Sequence, residues 1–439
     1  MPLVIVILGI TLLIILITVL KLDTFLSFVL VAIAVGLTEG MKADELIGSL
    51  EAGLGSTLGS LVMILGFGAM LGKVVAESGA AQRISSKLIS LFGIKHIQWA
   101  MVLTGFIVGV SMFYSVGFVI LIPLIFTVAA STGLPLLYVG IPLIASLSVT
   151  HGFLPPHPSP TAIAIMFKAD MGKTLIYGLI IAIPVIVVAG PFFARTLKKV
   201  PAAPLKEFVN PRVLSEKEMP GMAVSVVTAL LPVILIIIST LVDLFPMKDT
   251  LAGKIIIFIG KPSVALLISV LVALYTLGLS RGKKMKELSE MVSRSVVGIT
   301  TVLLIIAGAG MLKQVLTDSG VSDYIAGLLS KSSLSPLFLG WVIAAVLRIC
   351  VGSATVSALT AAGIILPLVT AGSVNPELMV ISIGAGSLVL SQVNDVGFWL
   401  YKEYFTLSVK DTLRSWTVME TIVGVSGLLG VLLLNSIIQ

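Results

Sequence analysis

The sequence predicts an all-α, polytopic membrane protein built from two halves of opposite orientation. Three observations predict it: a composition too apolar for water, apolar stretches of membrane-spanning length along the whole chain, and a weak repeat about 241 residues apart. Of 439 residues, 57% are apolar and 11% are charged, against roughly 25% charged in soluble domains. Mean hydropathy is +1.16. No soluble fold of this size hides that much apolar surface, so lipid is the solvent for most of it. A cytoplasmic enzyme, a nucleic-acid-binding domain and a disordered chain are excluded. The charge of +7, from 28 Lys+Arg against 21 Asp+Glu, fits cytoplasmic loops and not a nucleic-acid partner. A single cysteine and three histidines argue against a disulfide framework or a metal centre. No cofactor is expected.

The first element, Leu3–Leu20, is almost unbroken Leu, Ile and Val. No cation precedes it and no small-residue cleavage site follows it, so it reads as a retained transmembrane helix and not a signal peptide. Further apolar stretches are Phe25–Leu37, Leu54–Val75, Leu136–Ile165, Leu175–Phe193, Met222–Leu241, Val264–Leu279, Val296–Leu316, Leu378–Leu400 and Val418–Ile438. With flanking residues most can cross a core of roughly 30 Å. Two more stretches, near 99–127 and 341–369, are interrupted by Gly and Ser and read as re-entrant hairpins. Cationic loops at 195–219, 281–294, 402–414 and 83–95 fall on one side if about ten helices cross and both hairpins dip and return. Both termini then face outward.

Shifted by 241 residues, Gly68–Gly79 falls on Ala309–Gly320, and about six of fifteen positions from Met70 to Ile84 are identical. Trp99 and Trp341, Gly109-Val-Ser111 and Val351-Gly-Ser353, Pro123 and Pro367, and Thr150-His151 and Ser391-Gln392 fall at similar offsets. The chain therefore divides into repeats at 1–200 and 220–439, joined by a cytoplasmic linker at 201–219. Each repeat carries five crossings and one hairpin. Five is odd, so the second repeat is inverted, as in many secondary transporters that bind substrate at the repeat interface near the midplane.

Breaks in apolar spans mark the candidate site, because non-helical backbone survives in a membrane only under protein or water cover. One matched pair is the hairpin tips: Gly109–Gly117, with Ser111, Tyr114 and Ser115, and Gly352–Ser357, with Gly352, Ser353 and Thr355. Free N–H groups at a helix start attract an anion; small residues alone also permit close packing. The other pair is the broken spans. Thr150, His151 and His157 flank or enter a run with four prolines in six residues, which cannot continue a helix. Asn394 and Asp395 interrupt the span from 378 to 405. A carboxylate inside a membrane span is a functional candidate by default, and His151 titrates near neutral pH. Each also admits a structural, hydrogen-bonded reading. Arg348, just before the second tip, matches a carboxylate by two parallel hydrogen bonds, or snorkels to the interface.

Several runs carry a family resemblance: Gly66-Phe-Gly-Ala-Met-Leu-Gly-Lys73, Ser148-Val-Thr-His-Gly-Phe-Leu-Pro-Pro-His-Pro158, Leu347-Arg-Ile, Gly352-Ser-Ala-Thr-Val356, Val393-Asn-Asp395 and Lys402-Glu-Tyr-Phe405. Over nearly the whole chain the sequence resembles the gluconate:proton symporter (gluconate permease) family of the ion-transporter superfamily. The resemblance implies a bacterial inner-membrane symporter for gluconate or a related sugar acid, with proton and lipid bilayer as partners, and a homodimer. Family relatives carry glycerate, idonate, fructuronate or D-serine. One departure matters most: family members usually place a glutamate at the first hairpin tip where this chain has Ser115. That puts proton coupling through the hairpin in doubt and shifts it toward Asp395 and His151. Expected substrate contacts are Ser111, Tyr114, Ser115, Thr150, His151, His157, Arg348, Gly352, Ser353, Thr355 and Asn394. An uncoupled anion carrier or channel is the alternative from another class. No nucleophile–base pair suggests an intramembrane enzyme.

Overall fold

A computed structural model describes every residue except 1, 112–113, 205–213, 244–245, 298, 322–333, 394 and 439; the described residues are helices and turns, with no strand. The first half contains α1 (Pro2–Ile14), α2 (Thr24–Thr38), α3 (Ala43–Glu77) and α4 (Ala80–Phe92). The arms of the expected first hairpin, α5 (Ile97–Ser111) and α6 (Tyr114–Thr132), follow, with its tip at 112–113 outside the described residues. Next comes a broken span of α7 (Leu136–Phe153) and α8 (Pro158–Met166), then α9 (Met171–Val187). The second half runs α10 (Met222–Asp243), α11 (Leu251–Ile259), α12 (Pro262–Ala273), α13 (Met285–Val297) and α14 (Thr300–Asp318). Its hairpin is α15 (Pro336–Val351) and α16 (Ala354–Thr370). Its broken span is α17 (Pro376–Gly386) and α18 (Val396–Tyr404), before the closing α19 (Val418–Ile438).

Packing repeats along with the element order. α5 and α6 both pack on α7, as α15 and α16 pack on α17. Across the halves, α2 packs on α14 as α12 packs on α3, and α7 packs on α19 as α17 packs on α9. The two broken spans cross at glycines. A Cβ on Gly384 would stand 2.1 Å from the carbonyl oxygen of Gly152, so neither backbone could approach this closely with a larger residue.

Among the described residues, seven helices are long and apolar enough to cross a membrane, or eight if the bent α3 counts as one span. This differs from ten uniform crossings in four places, the first being the stretch expected at 3–20, where only the shorter apolar helix Ile7–Ile17 is described. α2 has only 15 residues. The span expected at 378–400 is non-helical from Ser387 to Asp395 in its described part. The first arm of the first hairpin, Ile94–Ser111, is itself 18 residues long and apolar, enough to cross.

Two cationic segments read as loops are amphipathic helices. α4 buries Ala80, Ala81, Ile84, Ser85 and Leu88 on one face and carries Arg83 and Lys87 beside it. α13 buries Leu288 and Met291 against α3 and carries Lys286 and Arg294. Apolar residues three and four apart make such a stripe even in a polar segment. The segment 195–219 touches each of the other three cationic segments. Arg83 donates from Nε to the Pro220 carbonyl at 2.7 Å. Arg281 donates to the Lys217 carbonyl at 2.8 Å, and Ala203 N–H to the Phe405 carbonyl at 3.1 Å.

Candidate functional site

A cavity between the halves holds about 390 Å³, within the usual range of small-ligand sites. It is far roomier than two spaces of about 20 and 10 Å³ elsewhere in the molecule. Its walls come from both halves: Tyr114 at the start of α6, Ser148 and His151 on α7, Arg348 near the end of α15, the tip Gly352–Thr355, Asp395 and Gly397 at the start of α18, and Trp416 and Glu420 at the start of the last span.

The second tip forms because Gly352 adopts φ +80°, a left-handed conformation that ends α15 without a Cβ penalty. Ser353 then caps α16, accepting from Val356 N–H at 3.4 Å. The start of α16 therefore faces the cavity, with Ala354 and Thr355 in its wall. Helix starts present unpaired N–H groups and favour negative charge.

Arg348 does not snorkel. Its side chain is 4% exposed, and Nη2 lies 2.5 Å from Oδ2 of Asp395. Nη1 donates to the Gly352 carbonyl, so one guanidinium ties the hairpin tip to the second break. Asp395 also accepts from Ser391 Oγ and, at 3.0 Å, from Gly397 N–H, which caps α18. Ser391 in turn accepts from Trp416 Nε1 at 2.7 Å. The intramembrane carboxylate found in the sequence is thus fully paired, and the arginine's Nε remains without a protein partner. Tyr114 Oη and His151 Nδ1 are likewise buried and unpartnered. The Tyr114 ring stands 5.7 Å from His151 and 6.2 Å from Trp416, centroid to centroid.

Seven expected residues converge on this cavity: Tyr114, His151, Arg348, Gly352, Ser353, Thr355 and Asp395. Three do not line it. Ser111 and His157 border the 10 Å³ space instead, where His157 Nε2 donates to the Gly109 carbonyl at 2.8 Å and Ser111 Oγ to the Val108 carbonyl at 2.9 Å. Thr150 is buried with its hydroxyl on the Leu147 carbonyl at 2.9 Å. Thr150 and His151 are adjacent on a helix, about 100° apart, so one faces the cavity and the other the packing. Asn394 and the Ser115 side chain lie outside the described atoms. Sequence reasoning missed Ser148, Trp416 and Glu420. Ser148 Oγ lies 2.7 Å from both carboxylate oxygens of Glu420.

A chain-wide comparison decides the family: the model of the GntP family permeases matches residues 1–438. The chain belongs to the GntP family. This permease is 53% identical over 438 residues to a high-affinity gluconate transporter of Escherichia coli K12, each chain covered in full. It is 50% identical over 439 residues to the same organism's Gnt-II system L-idonate transporter, again with full coverage of both. It is 46% identical over 448 residues to a gluconate permease of Bacillus subtilis 168, with full coverage of both. Two solved structures share the fold. The YdaH transporter of Alcanivorax borkumensis superposes with a TM-score of 0.66 at 16% identity, covering 94% of this chain and 97% of that one. MtrF of Neisseria gonorrhoeae superposes at 0.60 and 16%, covering 90% and 84%. The protein is an all-α, multi-pass transporter of the bacterial inner membrane and not an enzyme.

Proposed function

We propose that the protein is a secondary-active symporter that moves gluconate, or a related small hydroxy-carboxylate, into the cell with protons by alternating access. The observation that carries this reading is the polar lining of the 390 Å³ cavity. Arg348 Nε, Tyr114 Oη and His151 Nδ1 are buried without partners there. Unpaired buried polar groups are costly, and a polyhydroxy acid satisfies them. Its carboxylate lies between the guanidinium and the start of α16, and its hydroxyls reach Tyr114, His151, Ser353 and Thr355. Leu388, Val351 and Leu400 supply apolar wall for its carbon chain. The gluconate and idonate named for the relatives above fit this chemistry. Purified protein in proteoliposomes tests it: a pH gradient, acid outside, drives uphill gluconate uptake, and unlabelled gluconate inside drives counterflow. Flux without counterflow makes the protein a channel; counterflow without uphill uptake makes it an uncoupled carrier, the outcome Ser115 favours.

Alternating access is carried here by two inverted repeats. The reciprocal packing of the halves supports a twofold relation. Charge supports inversion: residues 39–51 hold Glu39, Asp44, Glu45 and Glu51 against Lys42, whereas the matching 280–292 holds Arg281, Lys283, Lys284 and Lys286 against two glutamates. Matched segments of opposite charge belong on opposite membrane faces. Single cysteines at Lys42 and Lys284, in a background without Cys350, label from opposite sides; labelling from one side rules out inversion. The homodimer belongs to this reading through the family resemblance alone, and native mass spectrometry tests it.

A further inference from the structure

Glu420 is the buried ionisable group to which the reading above gives no task. It lies in the first turn of α19, is 2% exposed, and lines the cavity that holds Arg348. Both carboxylate oxygens are 2.7 Å from Ser148 Oγ, which has one proton to donate. Among the described residues, no Lys, Arg or His forms an ion pair with it. As a carboxylate it therefore holds a charge inside the membrane with one donor and no counter-ion, which is costly. A proton removes that cost.

The charge balance of the cavity links this to transport. Arg348 and Asp395 neutralise each other at 2.5 Å. An entering substrate carboxylate is then a net negative charge in a cavity that Glu420 shares. The anion repels an ionised Glu420 and does not repel a protonated one, whose O–H also offers a donor to a substrate oxygen. The other ionisable groups in that wall are Tyr114, His151, Arg348 and Asp395. Tyr138 on α7, Lys173 and Tyr177 on α9, Glu377 on α17 and Arg414 before α19 lie on segments packed against it but outside the wall. Arg348 and Asp395 hold each other, so the charge-unpaired carboxyl is the one free to take and release a proton.

We propose that Glu420 is the proton-carrying group of the transport cycle: it holds a proton while the anion occupies the cavity and releases it when the cavity empties. This rests on the proton-symport reading above. Linkage makes the coupling reciprocal, so a proton on Glu420 tightens anion binding by the factor by which the anion tightens proton binding, on the order of tenfold.

The test uses full-length protein in nanodiscs, titrated with gluconate from about pH 5 to about pH 8 in buffers of different ionisation enthalpy. The native protein takes up protons on binding, and its affinity falls about tenfold as pH rises. Glu420→Gln is neutral at every pH. It binds with a flat pH profile and without proton uptake, and in proteoliposomes it shows counterflow but no accumulation on a pH gradient. Proton uptake or pH-driven accumulation that persists in Glu420→Gln overturns the proposal and leaves the symport reading standing. A native protein that binds gluconate without proton uptake overturns both. Ser148→Ala keeps the carboxyl and shifts the pH at which affinity falls; an unshifted profile counts against Glu420 even where Glu420→Gln does not fold. If gluconate does not bind at all, the substrate reading fails. The infrared carboxylic-acid band of the empty protein, followed from about pH 8 down to about pH 5, then decides for Glu420: a component that grows as pH falls and is missing from Glu420→Gln supports the proposal, and a pH-dependent band unchanged in Glu420→Gln overturns it.

Discussion

The two hairpin-and-break units share an element order but are held together by different physics. In the first, the break is made of prolines at 155, 156, 158 and 160, and His157 ties it to the Gly109 carbonyl at 2.8 Å. No charge takes part, and the space left there is about 10 Å³. In the second, the break from Ser387 to Asp395 contains no proline. It is held by Arg348, Asp395, Ser391 and Trp416, and Leu390 sits at φ +51°, a left-handed conformation a branched residue rarely adopts. The 390 Å³ cavity opens beside this unit. Prolines fix a backbone shape permanently. An ion pair and a strained residue fix it only while their partners stay in place. On the proposed function, the proline break of the first unit is scaffold, and the charged break of the second is the part that responds to substrate.

The largest effect that breaks or sharpens this contrast comes from Arg348→Ala. It strands Asp395 and removes the anion's partner. Truncating one member of a buried charge pair costs on the order of 2–5 kcal/mol, much of it from the group left unpaired. Gluconate binding weakens at least about tenfold by calorimetry. Adding Asp395→Asn to Arg348→Ala removes the stranded charge, so thermal stability recovers and affinity does not. Recovery of both would show that Arg348 serves structure and never meets the substrate.

In the first unit the pattern reverses. His157→Ala leaves the Gly109 carbonyl without its donor and opens space among tightly packed helices. Losing a buried hydrogen bond in this way costs about 1–3 kcal/mol, read as a lower unfolding temperature. Gluconate affinity stays within about threefold, because His157 is outside the cavity wall. A large affinity loss with unchanged stability would move the proline break into the binding machinery and erase the contrast.

How much of this was legible in the sequence follows the same division. Most spans and both breaks were readable because lipid imposes length and apolarity locally. Arg348 and Asp395 stood out as charges inside apolar runs, and their pairing across 47 residues confirms that each interrupts its span for a reason. Glu420 obeys the same rule but was absorbed into the apolar run from Val418 to Ile438. Ser148, its partner 272 residues away, reads locally as a small packing residue. Ser111, Thr150 and His157 were polar residues in the right segments on the wrong faces, because sequence gives a segment before it gives a helix rotation. α4 and α13 read as loops because their charge count masked an apolar stripe.

The smallest effect sharpens the comparison at Tyr114, the cavity group that the first hairpin contributes among the described residues. Tyr114 Oη is buried and has no protein partner, while its ring is held by His151 and Trp416. Tyr114→Phe keeps the ring and removes only the hydroxyl. The empty protein loses no hydrogen bond and sheds a buried unsatisfied group, so its unfolding temperature holds or rises. The bound state loses one hydrogen bond, about 0.5–1.5 kcal/mol, or roughly twofold to tenfold in affinity. Opposite signs for stability and binding in one variant identify a group kept unpaired for a ligand. If affinity is unchanged, the hydroxyl does not meet the substrate, and Tyr114 contributes ring surface alone to the site.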